Sequence, residues 1–162
     1  MTLTLTPGAL DRHAAPYAAL LLRLTLGVVF IAHGLFKVLV LSIADAAAFF
    51  AAQGFPAWTV YPVFAAEVLS GAALVLGFYT RVAAVALLPI LLGAFTVHWG
   101  NGWYFGNPHG GWEYIALLLS AVIVQAGLGA GAFAVTAARI APHASGAGSP
   151  SSDRQDGCHA RA

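Results

Sequence analysis

The stretch Arg23-Leu-Thr-Leu-Gly-Val-Val-Phe-Ile-Ala-His-Gly-Leu-Phe-Lys37 decides how this chain folds. It lies inside an apolar run from Tyr17 to Val40, which has the roughly 20 residues that a helix needs to cross a bilayer core. Charged residues in such a run are costly, so they usually face a protein interior at a functional position. At about 100° per residue, one face of this helix carries a stripe of Arg23, Gly27, Phe30, Gly34 and Lys37, with His33 on its flank.

The composition is that of an integral membrane protein. Of the 162 residues, 60% are hydrophobic and 8% are charged, whereas a soluble domain has about 25% charged residues. No basic cluster is present, which leaves no support for nucleic-acid binding. The single cysteine, Cys158, excludes an intramolecular disulfide, a C-x-x-C redox pair and a thiolate zinc site, and no metal site is predicted. Redox chemistry would therefore require a bound cofactor or a partner.

The distribution of apolar runs predicts an all-α integral membrane protein, a bundle of four transmembrane helices within a membrane domain at 17–138. The first run is too long for a cleavable signal peptide, so we expect it to be retained as the first helix. Residues 1–16 are expected to form a cytoplasmic N-terminal segment, and residues 139–162 a disordered cytoplasmic tail, because their composition cannot bury a core. The predicted spans are 17–40, 59–79, 81–99 and 112–136.

A short interfacial helix is predicted between the first two spans. Ser42 and Asp45 have the spacing of a capping box, and Gly54 is a typical stop signal. The segment is too short to cross a bilayer. The positive-inside rule then places both termini in the cytoplasm, because the arginines that flank the spans fall on the side of the termini: Arg12, Arg81, Arg139, Arg154 and Arg161.

Ionisable side chains are expected to converge in the outer half of this bundle. They are His33, Lys37, Glu67, His98 and Glu113. Lys37 and Glu67 are equally consistent with a structural ion pair that fixes helix register. The two histidines could also act as paired axial haem ligands, although a lone histidine is more often a packing or hydrogen-bonding residue.

Arg23 differs from that cluster because no acidic residue is available at its depth in the inner half. Its guanidinium needs backbone carbonyls, a lipid phosphate or a ligand oxygen. Arg81, at the start of the third span, is expected to anchor at lipid headgroups. The spacing Gly127-x-x-x-Gly131 in the fourth span favours close helix packing.

These motifs resemble the DoxX family over about residues 17–133. The resemblance rests on the Arg23–Lys37 pattern, Glu67-x-x-x-Gly71, the turn Leu-Gly-x-x-Thr-Arg81, His98 and Gly-Gly-x-Glu113. It implies a small four-helix protein of the bacterial inner membrane. Relatives include subunits of a thiosulfate:quinone oxidoreductase and members of redox-stress complexes with soluble enzymes.

The resemblance makes a quinone-linked oxidoreductase component the leading hypothesis, with membrane quinone as the candidate cofactor. In that hypothesis His33, Lys37 and Glu67 are the catalytic candidates, and Arg23, His98 and Glu113 are the candidates for binding substrate or quinone. A soluble redox enzyme or a second membrane subunit would be the partner, in addition to the lipid bilayer. Two alternatives remain, a non-catalytic membrane anchor for such an enzyme and a small-solute transporter.

Overall fold

The computed structural model describes residues 9–135, and every regular element in that range is helical. The predicted all-α class is therefore confirmed for the described residues. The predicted tail at 139–162 lies outside them, as do the first eight residues of the predicted N-terminal segment. Two 3₁₀ turns, Ala57–Thr59 and Trp99–Asn101, adjoin the longer helices. The five α-helices are α1 (Ala9–Leu39), α2 (Ile43–Ala52), α3 (Val60–Leu76), α4 (Thr80–His98) and α5 (Glu113–Leu128).

Three helical stretches are long and apolar enough to cross a membrane, His13–Leu39, Ala57–Leu76 and Thr80–Asn101. They correspond to the first three predicted spans. The fourth predicted span, 112–136, is helical only over the 16 residues of α5. At 1.5 Å per residue this gives about 24 Å, which is shorter than a hydrocarbon core of about 30 Å. Within the described range, the chain is a membrane protein with three full-length spans and two shorter apolar helices, α2 and α5.

The first helix begins earlier than the apolar run predicts, at Ala9 instead of residue 17. Hydropathy marks where apolar residues start, whereas alanine and leucine favour a helix on either side of that point. Pro16 lies inside α1 and has no N–H to donate. Its carbonyl oxygen accepts a hydrogen bond from the Ala132 amide at 3.0 Å. The beginning of α1 is thereby joined to the chain that follows α5.

The α1–α3 pair is the most extensive helix contact of the bundle. Gly27 and Gly71 face each other there, and a Cβ atom added to either one would lie 2.8 Å from the carbonyl oxygen of the other. Small residues permit this close approach of membrane helices. Arg23 and Phe30, on the same stripe of α1, are 1% and 3% exposed. The predicted stripe of α1 therefore faces the protein interior.

The structure differs from the prediction at Gly127 and Gly131. Because α5 ends at Leu128, Gly131 lies beyond the helix with φ +66°, and the two glycines share no helical face. Gly127 is exposed, and a Cβ atom there would meet nothing within 4 Å. Gly131 lies against α1, where its added Cβ would be 2.7 Å from the Pro16 carbonyl oxygen. The glycine-mediated helix packing is on α1 and α3 instead.

The predicted short helix is present as α2, with the predicted cap. Ser42 Oγ accepts a hydrogen bond from the Asp45 amide at 3.2 Å and donates one to the Asp45 carboxylate at 2.7 Å. Gly54, with φ +87°, follows the helix as its stop. α2 packs on the turn that leads into α3 and touches α1. It thus covers the end of the bundle opposite the turn between α3 and α4.

The remaining helices close the bundle in the order α1, α3, α4, α5, with only a small contact between α5 and α1. Buried apolar side chains from these four helices form one core, which includes Leu26, Leu74, Leu87 and Val122. The cavity described next lies between these helices, at the end of the bundle covered by α2.

Candidate ligand-binding cavity

A cavity of about 580 Å³ lies among all five helices, at the end of the bundle where α1 finishes and α3 begins. Small-molecule sites have volumes of about 300–1,000 Å³ and mostly apolar walls. Aromatic rings from α2 and the residues after it form one wall, and aliphatic side chains from α4 and α5 form another. Four acidic or basic side chains, called the ionisable side chains below, complete the lining: His33, Lys37, Glu67 and His98.

Lys37 and Glu67 form an ion pair in the wall of this cavity. Lys37 Nζ lies 2.8 Å from Glu67 Oε1 and 2.6 Å from Oε2, and the two side chains are 16% and 6% exposed. A third hydrogen bond runs from Nζ to the His33 carbonyl oxygen at 3.3 Å. The pair joins α1 to α3. Along α1, Lys37 lies about four helical turns after Arg23, where the stripe begins.

His33 and His98 enter the cavity from α1 and α4 with the same local geometry. Nδ1 of each ring lies 2.8 Å from the carbonyl oxygen of the residue four positions earlier, Val29 for His33 and Ala94 for His98. The His33 ring also stacks on Tyr114 of α5, with ring centroids 6.4 Å apart. The backbone therefore holds one edge of each imidazole ring, and the Nε2 edge points away from the helix that carries it.

Glu113 does not line this cavity, although the sequence places it with the same cluster. Its Oε1 accepts a hydrogen bond from the Phe105 amide at 2.8 Å. Glu113 lines a shallower groove on the outer face of α5, next to Leu117 and Ser120. The carboxylate thereby holds the loop between α4 and α5, and this loop contributes Phe105 and Gly111 to the cavity.

Arg23 also lies outside the cavity, and backbone carbonyls accept hydrogen bonds from both of its terminal nitrogens. Nη1 donates to the Ala130 carbonyl at 2.9 Å, and Nη2 lies 3.4 Å from the Ala132 carbonyl oxygen. The sequence leaves open backbone carbonyls, a lipid phosphate or a ligand oxygen as acceptors, and the structure shows backbone carbonyls. Nε has no hydrogen-bond partner in the described part of the chain.

Residues 129–135, the return segment, explain why an arginine is buried here. Non-helical backbone is tolerated at membrane depth only where its polar groups are satisfied inside the protein. Arg23 donates to carbonyls of this segment, and Gln125 Nε2 donates to the Gly129 carbonyl at 2.6 Å. Gly77, at the turn between α3 and α4, leaves the room that the guanidinium fills, because an added Cβ atom there would collide with Nη1.

Arg81 lies at the start of α4 and is exposed, as an anchoring residue would be. Its Nη2 is 3.5 Å from the Gly127 carbonyl oxygen, near the end of α5. That distance is at the limit for a hydrogen bond. Arg81 therefore adds little to the packing of the bundle.

Sequence reasoning missed several side chains of the cavity. Phe49, Phe50 and Gln53 come from α2, and Tyr114 comes from the first turn of α5. The two adjacent phenylalanines in an otherwise alanine-rich helix were the available signal for α2, and the position of Tyr114 next to Glu113 was the signal for α5. Within residues 9–135, no three His, Cys, Asp or Glu side chains lie close enough together to hold a metal ion.

The fold and the cavity define a helical membrane protein with an internal, largely apolar cavity near one end of its bundle. The DoxX family model matches residues 18–99, just over half of the chain, and the chain belongs to that family. No curated protein and no solved structure matches the chain. The matched residues include all four ionisable side chains of the cavity, whereas Glu113 and α5 follow them.

Proposed function

We propose that this protein is the quinone-binding membrane component of an oxidoreductase. The observation that supports the proposal is the cavity, in which aromatic and aliphatic walls surround four ionisable side chains. A quinone headgroup is a flat apolar ring with two polar oxygen atoms, and its isoprenoid tail needs an apolar path. A volume of about 580 Å³ is sufficient for such a ring.

Three of the ionisable side chains, His33, His98 and Glu67, are proposed to hold and move protons. Conversion of a quinone to its quinol takes up two electrons and two protons. His33 and His98 have Nε2 available for proton exchange, and the carboxylate of Glu67 lies beside them in the same cavity. The electrons come from a soluble redox enzyme or a second membrane subunit in this proposal, with a reduced sulfur compound as the primary donor.

The proposal places the protein in a bacterial inner membrane with both termini in the cytoplasm and the cavity towards the outer leaflet. The single cysteine, Cys158, provides a direct test of that orientation. A membrane-impermeant maleimide should label Cys158 in intact cells only after the inner membrane is permeabilised. Labelling without permeabilisation would reverse the proposed orientation.

Occupancy of the cavity can be tested by filling it. Ala94 lines the cavity, whereas Leu92 is 55% exposed on the opposite side of α4. The substitution Ala94→Trp introduces an indole ring into the cavity and should abolish binding of a short-chain quinone to the purified protein in nanodiscs. Leu92→Trp introduces the same ring on the outer face and should leave binding unchanged. Equal binding by both variants would refute the proposed site.

Turnover is tested with the same pair of variants in liposomes that contain quinone, the partner enzyme and a sulfur-compound donor. Quinone reduction should depend on the chain and should be lost with Ala94→Trp. If reduction proceeds equally well with this variant, the chain serves only as a membrane anchor for its partner. An absorption spectrum of the purified protein adds an independent check, because a Soret band would show a haem between the two histidines instead.

A further inference from the structure

The hydrogen-bonding groups of the cavity are unevenly divided between donors and acceptors, and the two histidines set this balance. A carbonyl oxygen can only accept a hydrogen bond, so the 2.8 Å contacts to Val29 and Ala94 require a proton on Nδ1 of His33 and His98. In a neutral imidazole the other nitrogen, Nε2, is then an acceptor. The backbone thus fixes the same tautomer in both rings.

The one lysine of the cavity does not offset these acceptors. An ammonium group has three N–H donors, and those of Lys37 are directed at the two carboxylate oxygens of Glu67 and at the His33 carbonyl. Thr59 Oγ donates to the Pro56 carbonyl at 2.6 Å, so it too can only accept a bond from a ligand. The ammonium group stabilises the wall without offering a proton to the interior.

The remaining side-chain donors in the wall are the Tyr114 hydroxyl and the Gln53 amide. The acceptors in the wall are more numerous: they are the Nε2 atoms of the two imidazole rings, the free lone pairs of the Glu67 carboxylate and the Thr59 oxygen. A quinone carbonyl only accepts hydrogen bonds, whereas a quinol hydroxyl donates as well. The acceptor-rich wall therefore matches the hydroxyl-bearing form of the ligand.

We infer that the cavity selects the quinol over the quinone, with His33 and His98 as the residues that accept its hydroxyl protons in hydrogen bonds. This inference rests on the proposed function, because it specifies which redox form the same cavity holds. One additional good hydrogen bond corresponds to a preference of about tenfold. A tenfold tighter quinol raises the midpoint potential of the bound two-electron couple by about 30 mV.

The test compares three probes on the full chain in nanodiscs under anaerobic conditions: a short-chain benzoquinone, its quinol and the dimethyl ether of that quinol. The ether matches the quinol in ring and oxygen positions but has no hydroxyl proton. We expect the quinol to bind about tenfold more tightly than either of the others. Equal affinities, or tighter binding of the quinone, would overturn the inference while leaving the proposed function intact. If none of the probes binds, the proposed function fails.

Asparagine variants identify the residues responsible. His33→Asn and His98→Asn retain a side-chain N–H close to the position of Nδ1, which can still bond to the helix carbonyl, and remove Nε2. Each should reduce quinol affinity about 3- to 10-fold more than it reduces quinone affinity. His109→Asn is the matched control, since His109 is exposed outside the cavity and its φ of +67° is one that asparagine tolerates. A preference that persists in the double variant would refute the role of the histidines, and the comparison of probes on the unmodified chain stands whether or not a variant folds.

Discussion

Replacing Glu67 by glutamine removes the charge that balances Lys37 inside the bundle, and we expect this substitution to destabilise the fold strongly. Loss of one partner from a buried ion pair costs about 3–5 kcal/mol, because the other charge remains in a medium of low dielectric. Lys37 is 16% exposed and keeps the His33 carbonyl as an acceptor. The expected loss therefore lies at the lower end of that range, about 3 kcal/mol.

A double-mutant cycle measures the interaction free energy between Lys37 and Glu67 apart from the contacts that each makes with its surroundings. Lys37→Met removes the cation and retains a side chain of similar length. When it is combined with Glu67→Gln, neither charge remains, so the double variant should lose less stability than the sum of the two single variants. We expect a coupling free energy of about 2 kcal/mol or more, which exceeds the roughly 0.6 kcal/mol average for hydrogen bonds between membrane helices.

The assay is reversible unfolding in mixed micelles of a mild detergent and sodium dodecyl sulfate, followed by circular dichroism. Glu113→Gln is the control, because the Glu113 carboxylate accepts a bond from a backbone amide and glutamine retains that acceptor. Its stability should change by less than about 0.5 kcal/mol. A coupling energy below about 0.5 kcal/mol for Lys37 and Glu67 would refute the view that this pair stabilises the bundle.

Three further predictions concern helix packing and the segment that Arg23 contacts. Gly27→Ala should destabilise the bundle by about 1–3 kcal/mol, because the new Cβ atom meets the Gly71 carbonyl, which cannot move aside as a side chain could; Gly127→Ala, at an open helix position, should be stabilising by about 0.5–1 kcal/mol in the same unfolding assay. Arg23→Lys keeps the charge but lacks the planar fork that reaches two carbonyls, so amides of the return segment (129–135) should exchange with deuterium faster. Unchanged exchange would show that the fork does not hold the segment in place.

The position of the spanning helices and of the buried stripe could be predicted from the sequence because both depend on local patterns. The apolar runs locate α1, α3 and α4, and the helical period places Arg23 and Phe30 on one face. The cap of α2 at Ser42 is equally local, since Ser42 and Asp45 are three residues apart. Such features need no knowledge of the remainder of the fold.

The end of α5 could not be predicted in this way. The residues after Leu128 remain largely apolar, so hydropathy extends the helix to residue 136. The helix stops because Gly129 takes a positive φ and the Gln125 side chain caps its carbonyl, and because Arg23 binds the chain that follows. The last of these contacts spans more than 100 positions and has no signature in a local window.

The composition of the cavity could be predicted only in part. The convergence of His33, Lys37, Glu67 and His98 follows from helix direction and depth alone. The rings of α2 join them only because this short helix folds back over the end of the bundle. Glu113 is near enough in depth to belong to the same cluster, yet its side chain turns to a loop amide, a choice that depends on the conformation of that loop.

The bond between Arg23 and Ala130 has a consequence for biosynthesis, because its two ends are 107 positions apart in the chain. A ribosome that adds about 5–20 residues per second completes that interval in about 5–20 s. During this time the first helix has left the ribosome while the carbonyls that satisfy its guanidinium have not been made. The nascent chain therefore passes through the insertion machinery with an arginine whose partners arrive last, and the headgroup region or the translocon must shelter that charge until translation ends.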